Sequence, residues 1–73
     1  MHFINQETLN ALRERFPAGA RVRLISMQDE YAPPEGTLGT VVAVDDAGTI
    51  HVKWDNGSTL GVAYGKDYCE TVD

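Results

Sequence analysis

From Ile50 to Asp55 apolar and polar residues trade places at every step, with Ile50, Val52 and Trp54 set against His51, Lys53 and Asp55. That period of two predicts a strand with one face buried and one wet. A slip of one residue would put Trp54 into water and Lys53 into the core, so the register is strongly specified. Thr40-Val41-Val42-Ala43-Val44, β-branched almost throughout, predicts the preceding strand. Asp45-Asp46-Ala47-Gly48 reverses the chain between the two. Asn56-Gly57 then predicts a two-residue type I′ hairpin with left-handed φ at both positions. Ser58 to Ala63 predicts a fourth strand, bent or bulged at Gly61, and Tyr68 to Val72 a short fifth after the turn Tyr64-Gly65-Lys66-Asp67.

Towards the N-terminus, Ala20 to Ile25 reads as the first strand, with Val22 and Leu24 inward and Arg21 and Arg23 outward. A long polar loop, Ser26 to Gly36, follows, its middle stiffened by Pro33-Pro34. Residues 1–19 predict a helix. Asn5 is the N-cap, Glu7 lies in the first turn, and Ile4 and Leu9 form a hydrophobic staple. Leu9, Leu12 and Phe16 make one apolar stripe, and Pro17 and Gly19 end the element. Together these elements predict a single, mainly β domain: an SH3-like small barrel of about five antiparallel strands (20–73) with one N-terminal α-helix as an extension (1–19). Curling the sheet on itself disposes of most of its edges.

Composition narrows the possibilities. With 73 residues there is room for one domain of modest core. The net charge of −5 opposes a protein that coats nucleic acid. The charge is uneven, because Arg13, Arg15, Arg21 and Arg23 against Glu14 make residues 13–23 +3 and leave −8 elsewhere. One cysteine, Cys69, forms no internal disulfide and fits a reducing compartment. The N-terminus lacks the basic and apolar regions of a secretory leader, and no run approaches the length of a membrane span. The expectation is a cytoplasmic protein.

Three blocks carry a resemblance: Gly19-Ala20-Arg21-Val22, Gly36-Thr37-Leu38-Gly39-Thr40-Val41-Val42 and Val52-Lys53-Trp54-Asp55-Asn56-Gly57-Ser58. At this separation they resemble a family of short, functionally uncharacterised bacterial proteins of Gram-positive bacteria and their mobile elements, from about residue 15 to residue 72. The chain is also similar to the Mind bomb type repeat, an SH3-like module of eukaryotic ubiquitin ligases that binds peptide segments. It keeps that repeat's glycines, Trp54 and Asp-Asn-Gly hairpin, and carries Tyr31 where the long loop of the repeat has tryptophans. The resemblance implies the fold.

Candidate chemistry is sparse. Cys69 and His51 are the only nucleophile and base pair to consider, and no third group is spaced to orient them. No metal-ligand spacing, phosphate-binding glycine pattern or cofactor motif is present, and Asp45-Asp46 reads as a turn. The reading is a non-enzymatic interaction module that binds a peptide or protein partner at a groove framed by the long loop and the hairpin. Its contact set is Tyr31, Pro34, Trp54, Asn56, Thr59 and Tyr64. Trp54 has two readings: its alternation with Ile50 and Val52 places it in the core, and the alternative is a partly exposed anchor. A nucleic-acid accessory role would instead use Arg13, Arg15, Arg21, Arg23 and Lys53, with His51, as a basic edge. Homodimerisation through the helix stripe or an unclosed sheet edge is a third expectation.

Overall fold

The computed structural model describes residues 4–72. The helix α1 spans Gln6–Arg15, and five strands follow: β1 (Arg21–Ser26), β2 (Leu38–Val44), β3 (Thr49–Trp54), β4 (Val62–Ala63) and β5 (Tyr68–Thr71). Asn5 caps α1 as its residue type predicts, in extended conformation with its side chain accepting from the Thr8 N–H at 2.8 Å. At the other end Pro17 starts a turn that Gly19 completes at φ +91°, which delivers the chain into β1. Leu9, Leu12 and Phe16 are buried, and the last two join the core formed by Val22, Leu24, Val41, Ile50, Val52, Trp54 and Val62.

The strands form one antiparallel sheet in the order β4-β3-β2-β1-β5. The sheet curls until its two edge strands approach each other, but no ladder joins β4 to β5. The sheet is therefore not closed into the predicted barrel. The cause lies in β4, which pairs with β3 only at Thr49–Ala63 and Ile50–Val62 and is too short to complete a wall.

The predicted fourth strand, Ser58 to Ala63, is correspondingly reduced. Trp54 N–H donates to Ser58 at one end and Ile50 lies opposite Val62 at the other, so no residue is inserted between them. The ladder opens in the middle because the buried indole donates from Nε1 to the Leu60 carbonyl at 2.8 Å, drawing that segment around the ring. Trp54 is 2 % exposed and belongs to the core. Gly39 gives it room: a Cβ there would stand 2.8 Å from the indole and 2.6 Å from Val52.

The Asn56-Gly57 turn also departs from expectation. Only Gly57 has positive φ, at +95°, and the loop is the three residues Asp55-Asn56-Gly57 closed by Gly57 N–H to the Trp54 carbonyl. This is a type I turn ending in a glycine bulge. Asp55 is held outside the β3–β4 pairing because its N–H donates to the Leu38 carbonyl and its carboxylate accepts two hydrogen bonds from the Arg21 guanidinium. Asp45 to Thr49 repeats the design, with Gly48 at φ +85° and the Asp45 carboxylate accepting from Ala47 and Thr49. In β2 a bulge between Val41 and Ala43 decides which valine faces in: Val41 is buried and Val42 is 57 % exposed. No described helix is long and apolar enough to cross a membrane.

Candidate binding site at the open seam

The gap between β4 and β5 lies over a hollow of about 280 Å³. Leu12 and Arg15 of α1 and the C-cap residue Phe16 form one wall, and Ile50, Val62 and Cys69 form much of the floor. Tyr64 and Tyr68 stand at the rim, each a little over half exposed at 54 % and 55 %. Rings held at a concave edge offer apolar area at small conformational cost while their hydroxyls stay wet.

One carboxylate shapes this seam. Asp67, in the turn between β4 and β5, is 9 % exposed. Its Oδ1 accepts from the Gln28 N–H and its Oδ2 from the Ala63 N–H, both at 3.1 Å. It thereby ties the start of the long loop to strand β4. The Ala63 carbonyl in turn accepts from the Lys66 and Asp67 N–H groups, so the outer edge of β4 is satisfied by the chain's own turn. Nothing in the residue pattern pointed to this role, because Gln28 is 39 positions away.

Cys69 is half-buried, and burial pushes its thiol up to about 11 while the Arg15 charge acts in the opposite sense. It is a protonated thiol at neutral pH rather than a thiolate nucleophile. Arg15 lies over the Phe16 ring, 5.1 Å from its centroid, and has no carboxylate partner among the described residues. The other three arginines are engaged. Arg13 pairs with Asp46 at 2.7 Å, Arg21 grips Asp55 through two contacts of 2.9 and 2.6 Å, and Arg23 reaches Glu70 at 3.0 Å. The Arg21 hydrogen bond holds the Asp55 carboxyl below the usual range. On the same solvent face Asp45 is held low, first by its hydrogen bond with His51 at 2.9 Å and then by the Thr49 N–H. Lys53 is exposed on this face.

The residues of the expected groove are distributed. Tyr64 is at the seam. Thr59, with Lys53, Val42 and His51, lines a broader and shallower depression of about 550 Å³ on the outer sheet face. Tyr31, 77 % exposed, and Pro34 sit on the long loop and line neither hollow. Pro34 is bound into a turn by Thr37, and it is Pro33 that is buried. Asn56 caps the hairpin tip by accepting from the Ser58 N–H, and Trp54 lies beneath the surface. Arg15 and Tyr68 complete the seam. Arg15 was legible as a candidate cation, whereas Tyr68 was hidden in a strand too short to show its faces. Among the described residues no group of three or more histidines, cysteines and carboxylates converges to hold a metal ion.

Over residues 5–72 the chain matches the family described as Domain of unknown function (DUF4314). The chain belongs to that family. The matched span includes α1, all five strands and Asp67, so the seam lies wholly within the family's domain. No curated protein and no solved structure matches the chain.

Proposed function

We propose that this domain is a non-enzymatic interaction module of SH3-like type that captures a peptide or protein partner at the β4–β5 seam, in the cytoplasm of a Gram-positive bacterium or of one carrying a related mobile element. The observation that carries the reading is the hollow of about 280 Å³ with Tyr64 and Tyr68 at its rim. An apolar cavity of roughly half that size is enough to hold a benzene ring, so this one accommodates a large apolar side chain. The likeness to the Mind bomb type repeat supports a peptide as the partner. This chain's loop tyrosine, Tyr31, stands apart from the hollow, which favours the seam over the loop as the contact surface. A nucleic-acid role is less well supported, because Arg13, Arg21 and Arg23 are occupied by Asp46, Asp55 and Glu70.

The test is selection of a phage-displayed decapeptide library on the full chain, repeated on Tyr64→Ala and Tyr68→Ala variants. The reading expects sequences enriched on the wild type and lost on the variants. Failure to enrich any sequence, or enrichment indifferent to both tyrosines, overturns it. A parallel titration with short DNA and RNA at two salt concentrations should show no salt-sensitive binding. Binding lost on replacing Arg21 and Arg23 would transfer the function to nucleic acid.

A further inference from the structure

The two edges of the sheet differ in a way that points to how a partner binds. On β1, the Ala20 carbonyl accepts from Val41 and the Leu24 N–H donates to Thr37, so these even-numbered residues face β2. Arg21 faces the other way, its carbonyl accepting from the Val72 N–H at 2.9 Å. Alternation along an antiparallel pair then turns Arg23 towards Glu70. Cys69 and Thr71, opposite Leu24 and Val22, must point their N–H and C=O groups away from β1. Among the described residues these groups meet no other partner. The edge of β4 is closed by Asp67 and the Tyr64 to Asp67 turn, whereas the edge of β5 is open. Tyr-Cys-Glu-Thr contains neither the proline nor the lysine that commonly blunts a sheet edge.

We infer that β5 receives an extended peptide segment of a partner protein as a sixth strand, with one apolar side chain entering the hollow and a neighbouring carboxylate meeting Arg15. The inference rests on the peptide-binding reading and specifies its geometry. A residue of the added strand beside Cys69 turns its side chain to the same face as Cys69, which lines the hollow. Arg15 shares that lining and, among the described residues, is the arginine without a carboxylate partner, so charge complementarity selects an acidic group there. Main-chain hydrogen bonds to Cys69 and Thr71 give affinity, and the hollow and Arg15 give preference for sequence.

The experiment uses the tightest decapeptide recovered from the library, synthesised with and without N-methyl groups on alternate amides. Bound to the full chain, the plain peptide should shift the amide resonances of Cys69 and Thr71 strongly and that of Glu70 much less. Methylation along the edge that faces β5 should weaken binding by about tenfold, since two hydrogen bonds are lost, and methylation along the other edge should leave it unchanged. Recovered sequences should carry Asp or Glu within two positions of a large apolar residue, and Arg15→Gln should weaken them about 3- to 5-fold. Thr71→Pro removes an N–H that β1 does not use, so it should keep the Trp54 fluorescence of the folded chain and lose the peptide. A peptide that binds equally with either edge methylated, or that leaves Cys69 and Thr71 unshifted, overturns strand addition while peptide binding itself stands. Failure to recover any peptide overturns the broader reading instead. Dimers seen by light scattering, with Cys69 and Thr71 amides protected in proportion to them, would assign the edge to a second copy and also overturn the inference.

Discussion

Replacing Asp67 with alanine leaves the N–H groups of Gln28 and Ala63 without their acceptor. Hydrogen bonds to a charged partner are each worth about 1.5–3 kcal/mol, and relief of the carboxylate's burial returns part of that. Gln28 is exposed, so water replaces the acceptor on that side. The expected net loss is about 2–3 kcal/mol, a large share of the stability of a domain this size. The melting temperature should fall by roughly 10–20 °C. Asp67→Asn keeps one acceptor oxygen but turns an amide N–H2 towards the other donor, so it should fall between alanine and wild type. Urea unfolding followed by the fluorescence of Trp54, the chain's single tryptophan and a buried one, measures both variants. A loss below about 0.5 kcal/mol for Asp67→Ala, the level of an ordinary surface substitution, would refute the claim that this carboxylate holds the seam.

Gly39→Ala inserts a methyl group against Val52, Trp54 and the Lys53 carbonyl, and should cost about 1–3 kcal/mol in the same assay. A neutral result would contradict the packing of the indole over that glycine. Because Asp45 and Asp55 have carboxyls held below their ordinary value of 3.8, the stability they add is complete above about pH 4 and is lost as pH falls through their lowered values. Asp45→Asn and Asp55→Asn should therefore flatten the acid side of the stability profile, and an unchanged slope below pH 4 would count against both pairings. The Cys69 thiol should react slowly with iodoacetamide at pH 8 and go on accelerating towards pH 11. A plateau near pH 9 would mean that the thiol is not buried.

Much of the architecture was legible because it rests on local signals. The alternation from Ile50 to Asp55 placed Trp54 inside and Lys53 outside, as observed, and Asn5 capped the helix through a bond to a residue three positions away. What the residue order could not show are the long-range hydrogen bonds. Arg21 and Leu38 hold Asp55 and convert the expected two-residue turn into a three-residue one. The indole N–H takes the Leu60 carbonyl and opens the fourth strand. Asp67 reaches Gln28 across the fold and assembles the seam, so the hollow forms beside Arg15, Tyr64 and Tyr68, while Tyr31 and Asn56 lie outside it. Tyr31 was singled out because it lies on the long loop expected to frame a groove, but concavity arises from pairing between distant segments.

The contrast between a closed β4 edge and an open β5 edge is tested most directly by residue-resolved amide hydrogen exchange on the free chain. The structure predicts slow exchange at Ala63, Glu70 and Val72, whose N–H groups are bonded, and fast exchange at Cys69 and Thr71, whose groups point outward. Cys69 and Thr71 amides protected as strongly as Glu70 would show that the edge is already covered and would contradict the account.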